Sequence, residues 1–105
     1  MDEILRKLWE VYSFLYKEYG LKIVYSLYTV VFGGESYVIL SNNELQIRFT
    51  SDRGQLFIQI KNINQIKWEP LHIIKNEFEG INHSTSFMNT ENALFLKKYL
   101  EHKFP

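Results

Sequence analysis

Asp52-Arg53-Gly54 and Trp68-Glu69-Pro70 hold the residues of this chain best suited to specific contact chemistry. An Asp can hydrogen-bond its own backbone and a Gly accepts positive φ, so the first triplet reads as a hairpin turn with Arg53 directed to solvent. The alternative makes Asp52 and Arg53 a charged contact on an exposed loop. On these letters alone the turn reading is the stronger. Trp68 lies between a run of strand-like residues and a helix. A half-exposed indole beside a charge is a good anchor for a protein partner. It serves equally as a plug over the edge of a core, and that role ranks first. Arg48 and Phe57 belong to strands whose outward positions also carry Gln46, Gln55, Gln59 and Lys61. Arg48, Asp52, Arg53, Phe57 and Trp68 form the candidate partner-binding set.

Reaction chemistry finds less support. His72, His83 and His102 are scattered, and none belongs to HExxH or another compact ligand pattern. There is no cysteine, which removes thiol catalysis and cysteine-held metals. Ser84 and Ser86 flank His83 closely, but no serine sits in GxSxG. Sequence neighbours in a polar loop rarely form a triad, and loop hydrogen bonding, with Ser86 capping a turn, is their plainer role. Gly33-Gly34 matches neither phosphate-loop pattern and reads as a turn. Glu35, Glu44, Asp52 and Glu69 could be nominated as paired carboxylates, yet nothing in the sequence brings two of them together. The expectation is a protein that is not an enzyme, with no catalytic residue, no metal and no cofactor.

The elements that must position these residues follow from periodicity. Residues 2–19 carry Ile4, Leu5, Leu8, Trp9, Tyr12, Leu15, Tyr16 and Tyr19 at spacings of three and four, the mark of one amphipathic helix. Gly20 is its stop. Residues 21–32 are rich in β-branched and aromatic types and read as a strand broken by Gly33-Gly34. Residues 36–40 form a second strand, joined by a two-residue Asn42-Asn43 turn to a third at 45–50. Leu45, Ile47 and Phe49 alternate there with polar neighbours. Residues 55–61 place Leu56, Ile58 and Ile60 on one face. Residues 62–69 are a connector. Pro70 opens a second helix with Leu71, Ile74 and Phe78 as its stripe, and Gly80 ends it. Thr90 caps a third helix whose apolar residues are Ala93, Leu94, Leu96, Tyr99 and Leu100.

The strands follow each other too closely for parallel crossovers, so the sheet is antiparallel. The expected fold is α+β: an N-terminal helix, a four-stranded antiparallel meander, and two C-terminal helices, all helices packed on one sheet face. The chain is read as a single domain, residues 1–105. Its 105 residues, 46% hydrophobic, exclude a disordered chain and suit one core. The charge balances at 12 basic and 12 acidic residues, without the basic excess usual in nucleic-acid binders. No apolar run is long enough to span a membrane. The acidic N-terminus lacks the pattern of a signal peptide, and with no cysteine the expected location is the cytoplasm. Neither nucleic acid nor membrane is expected as a partner.

The segment ELQIRFTSDRGQLFIQI, followed by KWEPLHIIKNEF, resembles small bacterial proteins of the toxin-immunity kind. In those proteins a helix ends in Tyr-Gly, here Tyr19-Gly20. A strand–Asp-Arg-Gly–strand hairpin follows, here around Asp52-Arg53-Gly54, and then an aromatic residue leading into a helix, here Trp68. The resemblance implies a protein partner, a toxin encoded nearby, neutralised by direct binding without catalysis. It departs from what a basic nuclease would demand, since this chain is not strongly acidic. The alternative is a small ligand-binding or adaptor domain without catalytic activity. An enzyme with a dispersed site ranks third.

Overall fold

Alternation along two strands organises the molecule. The computed structural model describes residues 2–27, 36–80 and 84–104. Strands β3 (Leu45–Asp52) and β4 (Gln55–Asn62) pair in antiparallel register, with Ile47 opposite Ile60 and Phe49 opposite Ile58. Leu45, Ile47, Phe49, Leu56, Ile58 and Ile60 all point into the core and are buried. Period-two alternation with one face buried fixes this register, since a one-residue slip would turn every apolar side chain to water.

Among the described residues the sheet has five strands, not the expected four. Its order is β1 (Lys22–Leu27), β2 (Ser36–Ser41), β3, β4, β5 (Glu69–Pro70), each antiparallel to the next. Strand β5 lies within what the sequence suggested was a connector and a helix start. Two residues are too few to show alternation, and a proline is tolerated on an edge strand. Within the run 21–32, strand β1 is described over Lys22–Leu27; residues 28–32, the Gly33-Gly34 turn and Glu35 lie outside the described residues. The β1–β2 ladder slips between Ile23 and Tyr25, a bulge centred on Val24.

A second correction concerns the N-terminal helix, which is two: α1 (Asp2–Glu10) and α2 (Phe14–Glu18). At the break the Val11 and Tyr12 amides both donate to the Lys7 carbonyl, at 2.8 and 3.1 Å. The bend drives Tyr12 fully into the core, where its ring meets Phe49 edge-on at 5.4 Å. Its hydroxyl donates to the Asn89 carbonyl at 2.8 Å. One straight helix would have put Trp9 on the same buried stripe; instead Trp9 is 70% exposed.

The C-terminal helices are α3 (Leu71–Glu79) and α4 (Thr90–Lys103). Gly80 ends α3 in the left-handed region (φ 70), its amide donating to the Asn76 carbonyl. Asn89, not Thr90, caps α4, accepting from the Asn92 amide at 2.8 Å. The buried face of α4 is Asn92, Ala93, Phe95, Leu96 and Leu100, while Leu94 is 67% exposed. Asn42 does not form the expected two-residue turn. Its Oδ1 accepts from the Glu44 and Leu45 amides at 2.8 Å each, so a three-residue connection is held by a side chain. Helices and inward strand residues form one core, and among the described residues no helix lies on the opposite face of the sheet.

Candidate partner-binding surface

The sheet face that no described helix covers is built by the positions that alternate with the core. Cross-strand register sorts them into rows. One row runs Leu27, Tyr37, Thr50, Phe57. The next runs Tyr25, Ile39, Arg48, Gln59, Pro70. Gln46 and Lys61 stand opposite each other in a third. The alternation in β2, β3 and β4 thus brings a polar and aromatic set to one surface.

Arg48 is its centre. The guanidinium carbon lies 4.7 Å from the Trp68 ring centroid and 5.8 Å from that of Tyr37. Its Nε donates to Gln59 Oε1 at 2.7 Å, which fixes the plane of the group. Lys61 brings Nζ to 5.5 Å from the Trp68 ring and donates to the Gln65 carbonyl at 3.0 Å. Trp68 therefore meets two cations on the outer side of the sheet and is half-buried. The core-plug reading of Trp68 is corrected: the residues it stacks on, Arg48 and Lys61, belong to the outward rows. Cation–π contacts of this kind stabilise by roughly 0.5–1 kcal/mol at exposed sites. They hold the side chains in place while leaving guanidinium edges able to donate to a carboxylate.

Phe57 stacks on Phe87 with centroids 5.3 Å apart, and the two residues form an isolated antiparallel bridge. Tyr25 stacks on Tyr37 at 5.7 Å. The Thr50 hydroxyl lies between the Tyr37 and Phe57 positions, buried and without a hydrogen-bond partner. Asp52 and Arg53 occupy the β3–β4 tip, both exposed. Arg53 has φ 52 and Gly54 φ 82, the paired left-handed residues of a two-residue type I′ hairpin. Neither Asp52 nor Arg53 has an ion pair among the described residues. Asp52 shares the outward parity of Arg48 and stands four residues further along β3, about 13 Å away.

All five nominated residues thus lie on one face or at its end. Arg48 and Trp68 touch; Phe57 is one row away; Asp52 and Arg53 form a separate tip. Tyr37 and Tyr25 escaped the sequence reading. The Tyr37/Ile39 alternation against Val38/Leu40 was the signal for Tyr37. Tyr25 lies beyond a bulge that scrambles its parity, and Phe87 sits in a segment without pattern.

Other chemistry is not assembled. Ser86 Oγ accepts the His72 amide at 2.9 Å and lies 2.7 Å from His72 Nδ1. No acid is bonded to His72 among the described residues, and Pro70 gives α3 no side-chain cap, so Ser86 serves as that cap from a distant segment. Glu44 and Asp52 stand at opposite ends of β3, and Glu69 is in β5. His83 lies outside the described residues; His102 packs against Phe78. No group of three potential ligands for a metal ion occurs among the described residues. No described helix is long and apolar enough to cross a membrane. No family model, no curated protein and no solved structure matches the chain.

Proposed function

We propose that this domain acts by binding another protein across the outward face of its sheet and restraining it, without catalysing a reaction. The observation that carries the reading is Arg48, oriented by Gln59 and held against the Trp68 and Tyr37 rings on a face that no described helix covers. Arginine and aromatic side chains held in this way are the residue types that dominate protein interfaces. The face is basic, with Arg48 and Lys61, and Arg53 extends it at the tip. It suits a partner that presents carboxylates, not a basic nuclease. The resemblance to immunity proteins supplies the partner's kind, a bacterial toxin encoded nearby, which makes the cytoplasm the place of action.

The test is capture of the partner from source cells on the tagged chain, with identification by mass spectrometry, followed by rescue of cells poisoned with the neighbouring toxin. Arg48→Ala is expected to weaken the complex by about 2 kcal/mol, roughly thirtyfold, with little change in folding. Rescue by the wild type and its loss in Arg48→Ala support the reading. Failure to protect, or tight binding that ignores Arg48, refutes it. A single-stranded nucleic acid held by the same aromatic face would refute it as well.

A further inference from the structure

The two edges of the sheet differ. At the β4 side the edge is closed. Strand β5 pairs there, and beyond it the Ile58 amide donates to the Ser86 carbonyl at 2.8 Å and the Met88 amide to the Leu56 carbonyl at 2.9 Å. At the other side β1 has a single neighbour, β2, among the described residues. Every residue of β1 is exposed, and from Ile23 to Leu27 none is charged. Two devices that discourage pairing at an edge, Lys22 at the start of β1 and the bulge at Val24, both precede the stretch from Tyr25 to Leu27, which carries neither charge nor proline.

The apolar surface continues around this edge. On the helix side a groove of about 410 Å³ is lined mainly by apolar residues, Leu5, Leu8, Trp9, Ile23 and Leu40 among them, together with Lys22. Leu5, Trp9, Ile23, Val24, Tyr25 and Leu27 are each between 39% and 70% exposed. Spread over both sides of the edge, they present on the order of 600 Å² of largely apolar surface, as much as the largest patch on a monomeric protein.

We infer that β1 pairs with β1 of a second copy of this chain, antiparallel about a two-fold axis near Tyr25, making one continuous ten-stranded sheet. The row of main-chain groups along β1 asks for an extended strand. The copy supplies one with the same apolar side chains. Burying all of that surface on both copies would remove about 1,200 Å² from water, the lower limit for a stable pair of proteins. Charge permits it. Lys22 is the only charged residue of β1, and antiparallel pairing sends the two Lys22 side chains to opposite ends of the ladder. The balanced 12 and 12 charges add no net repulsion between copies. Beneath the joined strands the Leu5 and Trp9 surfaces of the two copies face each other and close both grooves. The inference stands apart from the proposed partner, which uses the centre of the outward face and the hairpin tip.

The native chain has no cysteine, so a single introduced one reports the geometry cleanly. Residues opposed near a two-fold of antiparallel strands lie about 4.5–5.5 Å apart at Cα, within reach of a disulfide. Tyr25→Cys is expected to cross-link to its twin under mild oxidation, and Leu94→Cys on α4 is not. Sedimentation equilibrium of the full wild-type chain should give twice the 12.6 kDa mass. Val24→Lys and Trp9→Glu should each weaken the dimer roughly tenfold or more. Trp9 is far enough exposed for its replacement to spare the fold, which circular dichroism verifies. A wild-type chain that stays monomeric up to submillimolar concentration overturns the inference. So does a dimer indifferent to Trp9→Glu, or a monomer whose β1 instead takes up a strand of another protein.

Discussion

Tyr12 shows what one buried polar atom does here. Its ring is sealed in the core and its hydroxyl has one acceptor, the Asn89 carbonyl. Burial raises its ionisation well above the ordinary tyrosine range. The folded chain therefore keeps this proton where the unfolded chain loses it, above about pH 10. Stability from Tyr12 is fully present below that pH and falls as pH rises beyond it. Tyr12→Phe is expected to cost about 1 kcal/mol at neutral pH, through the lost hydrogen bond. It should also flatten the alkaline decline, and melts at pH 8 and above pH 10 read both effects. Arg53 is a different case. A non-glycine residue at φ 52 costs roughly 1–2 kcal/mol. Arg53→Asn, which creates Asn-Gly at the tip, is expected to stabilise the hairpin by about 0.5–1 kcal/mol. If the tip meets the partner, the same change slows association. The Asp-Arg-Gly turn was legible from its glycine. The strain at Arg53 was not, because nothing in three letters tells which of them takes positive φ.

Between elements, the joint of α3 and α4 rests on a side chain that periodicity hides. Asn92 donates from Nδ2 to the Phe87 carbonyl at 2.7 Å and to the Thr85 carbonyl at 3.1 Å. It accepts from Lys75 Nζ at 3.2 Å. Lys75 is only 5% exposed and also reaches the exposed Glu91 at 3.1 Å. Asn92→Ala would take its donor from the Thr85 carbonyl and leave the Phe87 carbonyl and the Lys75 ammonium with one partner each, the Asn89 amide and Glu91, and is expected to cost about 1–3 kcal/mol. Lys75→Met removes the charge along with its need for partners and should cost less than half as much. Chemical denaturation of the two variants tests the order; equal losses would mean that the lysine, not the asparagine, holds the joint. This is where sequence reasoning stopped. The strands β3 and β4 were legible because alternation records a sheet with one buried face. A buried Lys–Asn pair follows no period, so the inner face of α4 was misread around Leu94. The break at residues 11–13 was hidden for a similar reason: Tyr12 fits a straight helical stripe as well as it fits a bend. Strand β5 is defined by its neighbour's hydrogen bonds more than by its own residues.

Across the whole molecule the balanced charge conceals an uneven distribution. Strands β1 to β4 contain Lys22, Arg48 and Lys61, and their one acid is Asp52 at the tip. The helices carry both signs, with exposed Glu10, Glu18, Glu77, Glu79 and Glu101 beside exposed Arg6, Lys17 and Lys98. A chain with no net charge therefore presents a basic face to one side, which the count of 12 and 12 could not reveal. That arrangement speaks to rate more than to affinity. Exposed charges steer encounter over about a Debye length, roughly 8 Å in physiological salt and several times longer in dilute buffer. If the sheet face meets an acidic partner, association should slow as salt rises, with dissociation nearly constant. Lys61→Glu should slow association by roughly tenfold in dilute buffer and far less at high salt. Glu77→Lys, on the helical side, should leave the rate close to wild type. Stopped-flow mixing at several ionic strengths separates these outcomes. An association rate that ignores salt, or that responds to Glu77 as strongly as to Lys61, would place the contact on another surface.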